Sequence, residues 1–219
     1  MRKFLLLAAI AAMVACEQDV YDKGEGKYSL LRADFAEAHV TGSQVIDYIV
    51  TDDGDQLMLT KPYTAQWLKD KTTGARVLVY YNRVDDQAEA VSISEVPSLV
   101  PHRSSSYKTG IKTDPVGFES AWLSRNGSYL NFCIVLMVGT SDDTNATHTL
   151  DIVSDTIVTH ADRRTTSCLQ LYHDQGTMPE YYSYRTFFSI PLQAFATDSV
   201  RMTINTYQGP VVKTFCIVK

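Results

Sequence analysis

Val200-Arg201-Met202-Thr203-Ile204-Asn205-Thr206 carries an apolar side chain at every second position and a polar one between. Successive side chains of an extended chain point to opposite faces, so this stretch predicts a strand with one buried and one wetted face. A helix would need its apolar residues three or four apart. The same alternation recurs on both sides, in short blocks bounded by Gly, Asp, Asn and Pro. Downstream, Gln208-Gly209-Pro210 turns the chain into a strand over 211–218. Upstream, 118–123, 129–138, 147–153, 167–172 and 186–192 read as strands, with Asn126-Gly127 as a turn. With 200–207, seven such strands predict an antiparallel β-sandwich.

Between 97 and 107 the composition shifts to Pro, Ser, His and Arg and the periodicity stops, which places a boundary there. Ahead of it, 28–40 reads as a strand. Strands over 45–50 and 56–60 form a hairpin closed by Asp52-Asp53-Gly54-Asp55, where Asp and Gly tolerate positive φ. Residues 62–71 fit one short helical segment with Trp67 and Leu68 turned inward, ended by Thr72-Thr73-Gly74. Strands over 76–84 and 88–96 follow. Five strands and one short helix are the elements of a small Greek-key barrel of the OB type. The expected fold is therefore all-β: an OB-like barrel over 28–100, a linker over 101–107 and a β-sandwich over 108–219. A single large sandwich or barrel is the alternative.

Composition narrows the function classes. The chain has 219 residues, 45% hydrophobic and 21% charged, which excludes disordered and fibrous classes. The uninterrupted apolar run covers only 4–15, short of the roughly twenty residues a helical membrane span needs. A net charge of -5 argues against a broad basic face, so nucleic acid is not an expected partner.

The N-terminus reads as an address. Arg2 and Lys3, an apolar stretch over 4–12 and the small-residue end Met13-Val14-Ala15-Cys16 have the layout of a secretory leader over 1–15. A cysteine at the cleavage point can accept a diacylglyceryl group, and this end resembles the lipobox of bacterial lipoproteins, with Met13 where Leu is usual. A lipidated Cys16 would attach the protein to a membrane through its acyl chains. Residues 16–27 would then serve as a polar tether, and Glu17-Gln18-Asp19 resembles the surface-export signal of some Gram-negative lipoproteins. The other cysteines are Cys133, Cys168 and Cys216, of which at most one pair could bridge within the chain. Phe132-Cys133-Ile134-Val135 and Phe215-Cys216-Ile217-Val218 are apolar strand settings that predict buried thiols.

The lipoprotein start, the Asp-Gly hairpin followed by Arg76-Val77-Leu78-Val79-Tyr80-Tyr81, and a sandwich half containing Leu169-Gln170-Leu171-Tyr172-His173 together resemble the NigD-like lipoproteins. The resemblance implies an N-terminal OB domain and a C-terminal β-sandwich in a Gram-negative envelope, as an outer-membrane lipoprotein facing the periplasm or the medium. It also makes a bacteriocin-associated accessory or immunity role conceivable. It transfers no functional residue.

Nucleophile elbows, Walker loops, paired-histidine zinc motifs and EF-hand loops are all absent, so no catalytic residue, metal or cofactor is assigned. His160-Ala161-Asp162 and His173-Asp174 pair an imidazole with a carboxylate, but both read better as surface loops. The carboxylates of Asp52, Asp53 and Asp55 fit a turn better than a calcium loop, and Ser141-Asp142-Asp143-Thr144-Asn145 is a second oxygen-rich loop. The suggestive surface is Met178-Pro179-Glu180-Tyr181-Tyr182-Ser183-Tyr184-Arg185, where Tyr181, Tyr182, Tyr184 and Arg185 offer apolar area with polar tips, suited to a protein interface or a sugar face. An ordinary sheet edge with tyrosines packed along it is the preferred reading of the two. Tyr48, Tyr80 and Tyr81 are candidate stacking residues on the barrel. Asp155-Thr156-Ile157 and Asp198-Ser199-Val200 resemble envelope O-glycosylation triplets, with Thr156 and Ser199 as acceptors. A non-catalytic binding or accessory module is the leading reading. An enzyme of glycan-hydrolase type, with carboxylates on separate loops, is the alternative.

Overall fold

The computed structural model describes residues 30–217 except 43, 73, 144 and 145. Cys16, the leader, the tether and two residues of the 141–145 loop lie outside the described residues. From Arg32 onward the chain forms one compact unit.

Strands β1 (Arg32–Val40), β2 (Ile46–Thr51), β3 (Gln56–Tyr63), β4 (Gly74–Val84) and β5 (Gln87–Glu95) close into a barrel in the order β1-β2-β3-β5-β4. That is the circuit of an OB barrel, and its hallmark parallel contact is present, with Met58 opposite Gln87 and Leu59 opposite Ala88. The predicted hairpin turn forms: Gly54 takes φ 91 and donates its N–H to the Thr51 carbonyl at 2.8 Å. The predicted helical segment is a single 3-10 turn over Gln66–Asp70 that caps the barrel with the fully buried Leu68. Alternation sends Ala36, Ala38, Ile49, Leu57, Val77, Val79 and Tyr81 into the core.

Seven further strands form two sheets. One has the order β10-β7-β6, from β6 (Gly117–Leu123), β7 (Tyr129–Val138) and β10 (Tyr182–Pro191). The other has the order β12-β11-β9-β8, from β8 (Thr149–Thr159), β9 (Thr165–Asp174), β11 (Ser199–Ile204) and β12 (Val211–Cys216). Both sheets send side chains into one core, including Leu130, Phe132 and Phe188 from the first and Ile152, Leu171 and Met202 from the second. In β11, Val200, Met202 and Ile204 are fully buried and Arg201 is exposed, as the alternation requires.

Several expectations are corrected. The sandwich is not wholly antiparallel: β9 and β11 pair in parallel from Ser199 opposite Thr166 to Thr203 opposite Gln170. β10 crosses to the other sheet between them, so the chain returns to the second sheet in its original direction. β10 also begins at Tyr182 rather than 186, because Tyr182 and Tyr184 pair with Val138 and Leu136 of β7. β8 runs on to Thr159 past an irregularity between Val153 and Thr156, which shifts the register and hides the alternation. Cys133 is buried as expected, whereas Cys216 is exposed at the end of an edge strand, and Cys133, Cys168 and Cys216 are all free thiols. Tyr81 is no stacking residue, since it lies in the core and donates its hydroxyl to Asp34 at 2.7 Å.

A buried polar network joins the barrel to the first sheet. Arg76 on β4 donates to both carboxylate oxygens of Asp52 at 2.6 and 2.7 Å. It also donates to Asn131 at 2.9 Å and to Ser189 at 3.2 Å. Asn131 in turn donates to Asp52 at 3.0 Å. The guanidinium is sandwiched by aromatic rings, 4.1 Å from the centre of Tyr129 and 5.5 Å from that of Phe35. Every polar group of this junction has a partner, which is the condition for burying an ion pair without a large penalty.

Candidate binding surface

The tyrosine segment is built by a fold-back at the end of β7. A side chain at Gly139 would come within 2.8 Å of both Pro179 and the Tyr181 ring, so only glycine lets the 176–181 segment cross there. Gln175 holds the crossing with its side-chain amide, donating to the Glu180 carboxylate at 2.7 Å and the Met178 carbonyl at 3.2 Å. Tyr181 then donates its N–H to the Val138 carbonyl at 3.0 Å, and β10 begins. Tyr181, Tyr182 and Tyr184 are 69%, 64% and 57% exposed. The Tyr181 and Tyr182 rings meet edge to face with centroids 6.4 Å apart.

β10 is the edge strand of its sheet. Pro97 and Leu99 bond the outer side of Ser189, at 2.9 and 2.8 Å. Among the described residues no other backbone group pairs with β10 on that side, so the edge carrying Tyr182 to Arg185 is open. Arg185 is held in a two-point ion pair with Glu119 on β6, at 2.7 and 3.0 Å. Glu119 also accepts the Cys133 thiol at 3.3 Å. The Arg185 guanidinium, and after it that thiol, hold the Glu119 carboxyl below its usual range. Burial first, then Glu119, pushes the Cys133 thiol up to about 11.

Other concave regions are less suited to a ligand. A cleft of about 420 Å³ beside the barrel is lined by Glu37, His39, Tyr48, Arg76 and Tyr129. Its groups already serve one another: Tyr129 donates to Glu37 at 2.6 Å and His39 stacks on Tyr48 at 4.5 Å. Asp34, Asp52 and Asp53 line a second cleft of about 380 Å³, but Tyr81, Arg76 and Arg125 respectively engage them. A further depression of about 520 Å³ lies over β9, β11 and β12 with His160, Arg164, Ser199 and Arg201 among its walls.

The two imidazole–carboxylate pairs of the sequence are not formed. His160 bonds Thr166 at 2.7 Å, and Asp174 pairs with Lys112 at 2.6 Å. His173 is not a surface residue: it lies within β9 and is 1% exposed. Thr156 is exposed beside the β8 irregularity, whereas Ser199 is half-buried and its hydroxyl is shared with Thr166 at 2.7 Å. Tyr80 is exposed on the outer barrel face. Among the described residues no three metal-ligating side chains converge, and no helix is long and apolar enough to cross a membrane. Sequence inspection missed the Asp52–Arg76 junction, whose only trace was a carboxylate in a turn and an arginine opening an apolar strand.

No family model matches the chain, nor does any curated protein. Solved structures do match. A NigD-like immunity protein from Bacteroides caccae ATCC 43185 superposes with a TM-score of 0.65 at 23% identity, over 83% of this chain and 91% of the other. The fold is the NigD-like fold. A candidate lipoprotein from Bacteroides fragilis NCTC 9343 shares it at TM-score 0.61 and 12% identity, over 86% and 98% of the two chains. So does a protein of unknown function from Bacteroides vulgatus ATCC 8482, at TM-score 0.65 and 14% identity over 86% and 92%. At these identities the likeness concerns the NigD-like fold, barrel followed by sheets, and leaves the chemistry of each surface to be read from its own residues.

Proposed function

We propose that this protein is a non-enzymatic lipoprotein of a Gram-negative cell envelope, anchored through acyl chains on Cys16, which captures a partner protein along the open edge of β10. The observation that carries this reading is the exposure of Tyr181, Tyr182 and Tyr184 on an unpaired strand edge. An added strand would take main-chain hydrogen bonds from the edge, while the tyrosines supply apolar area at low entropic cost. Exposed edges are otherwise blunted by Lys, Pro or cover, none of which occurs between Tyr182 and Arg185. The lipobox-like start supports the anchor, as does the B. fragilis candidate lipoprotein of the same fold. The fold-mate described as an immunity protein supports a protein as the ligand, with a secreted toxin the first candidate.

A photo-crosslinking residue at position 182, compared in intact cells with one at the exposed Val212, tests this. The expected result is a discrete protein adduct at 182 that disappears when Tyr181 and Tyr184 become alanine. Adducts identical at the two positions overturn it, and an adduct carrying only carbohydrate mass replaces the protein partner with a glycan.

A further inference from the structure

His148 and His173 stand where one end of the sandwich brings its two sheets together. His148 immediately precedes β8, and its Nε2 lies 3.0 Å from the carbonyl oxygen of Met137 in β7. Its Nδ1 lies 2.9 Å from Nε2 of His173 in β9. The remaining nitrogen of His173, Nδ1, lies 2.9 Å from the carbonyl oxygen of Asp114. The rings stack at 5.1 Å and 22°.

A proton count decides what this chain of contacts is. A carbonyl oxygen can only accept, so both outer nitrogens must carry a proton. Two neutral imidazoles have one N–H each, and both are then spent on Met137 and Asp114. The inner nitrogens would face each other as two lone pairs at hydrogen-bond distance. Three contacts need three protons. We propose that His148 and His173 form a proton-binding clamp, holding one shared proton between His148 Nδ1 and His173 Nε2 that fastens β7 of one sheet to β8 and β9 of the other. When that proton leaves, one contact lapses, and half-buried His148 gives way before buried His173.

The neighbouring charges suit a single proton. On β9, Asp174 is paired with Lys112. Asp114 accepts the Gln175 N–H, and Glu180 accepts the Gln175 side chain, with Tyr207 beside both carboxylates. Ahead of β8, Asp143 accepts the Thr177 hydroxyl. β7 brings no charged residue. The elements around the pair thus bring four of these carboxylates and one lysine. Burial, and then the charge of a protonated His173, hold the His148 imidazolium below its ordinary value, and that charge opposes a second proton. The clamp is therefore closed with one proton and weakened by losing it or by gaining another, so its titration belongs to the pair.

Imidazole ¹⁵N spectra of the full mature protein, recorded from about pH 8.5 to about pH 4.5 across the ordinary histidine range, test the clamp. The expected result is one coupled step in which His148 Nδ1 and His173 Nε2 move together on uptake of a single proton. Two independent complete titrations, or no titration of either ring, overturn it. A second reading uses His148→Ala, whose half-buried site keeps the fold. Its loss of stability relative to the parent should shrink several-fold between about pH 6 and about pH 8.5, as the shared proton leaves. An equal loss at every pH also overturns the clamp.

Discussion

The guanidinium of Arg76 lies 4.1 Å from the centre of the Tyr129 ring, with barrel residues beneath it and the first residue of β7 above. Arg76 is thus the bolt between the barrel and the sheets, and its side chain is 1% exposed. Replacing it with Met leaves Asp52 and Asn131 facing each other with no cation, a loss expected at about 3–5 kcal/mol. Removing Asp52 as well, by Asp52→Leu in the Met background, should recover a large part of that loss because no unpaired charge remains. Urea unfolding of the three variants measures both. A double variant no better than Arg76→Met would contradict the ion-pair account.

The free cysteines should differ in reactivity by burial. Cys216 is exposed, whereas Cys133 is 3% exposed and its thiol is pushed up to about 11. An alkylating reagent at neutral pH should modify Cys216 in the native protein and Cys133 only after unfolding. Mass spectrometry of native and denatured samples reads the order directly, and equal labelling would be incompatible with this fold.

Acid should loosen the surface before the core. Hydrogen bonds from His39 to Asp47 and from Lys112 to Asp174, and the Arg185 pair to Glu119, hold these three carboxyls below their ordinary values. For a depressed carboxyl the stabilisation is complete above the unfolded value of about 4 and disappears as pH falls through the folded one. For Asp174 and Glu119, whose partners are a lysine and an arginine, the contribution to the urea midpoint should therefore be flat at higher pH and decline below about pH 4. Lys112→Met should flatten part of that decline by moving Asp174 toward its ordinary value, with the Gly176 N–H still holding it partly down. An unchanged profile would remove Asp174 from the account.

Of the two candidate glycosylation triplets, geometry favours Thr156. It is exposed at a strand irregularity, while the Ser199 hydroxyl is engaged with Thr166. Intact mass of protein purified from its native envelope should exceed the lipidated polypeptide, and Thr156→Val should remove the excess where Ser199→Ala does not. A mass equal to the lipidated chain alone disposes of the modification.

Anchoring is checked by Cys16→Ala, which should move the protein from the detergent phase to the aqueous phase. Protease added to intact cells then decides between faces: digestion places the β10 edge outside, and protection until lysis places it in the periplasm.

What was legible in the chain followed from local alternation. Val200, Met202 and Ile204 faced the core as their spacing required, and the Asp52-Asp53-Gly54-Asp55 turn formed where it was read. The misses share a different cause: they depend on residues distant in sequence. Whether Tyr80 or Tyr81 faces inward is set by the barrel's register, which Asp34 completes from β1. His173 sat next to Asp174 in sequence but found its partner in His148, across the pairing of β8 with β9. The tyrosine segment was visible as composition, yet its place on an open edge required knowing that β10 pairs with β7 alone among the strands.

The parallel contact of β9 with β11 bears on assembly. β9 gains its second neighbour only after β10 has been laid into the opposite sheet, so the second sheet cannot grow hairpin by hairpin as the chain arrives. The barrel, whose five strands precede all of this, can close on contacts nearer in sequence. A chain ending before Ser199 would keep the barrel yet leave β9 with a bare flank of unpaired N–H and C=O groups, a template for pairing with other copies. The strand Ser199–Ile204 is in this sense a cover for the flank of β9 as well as a contributor to the core.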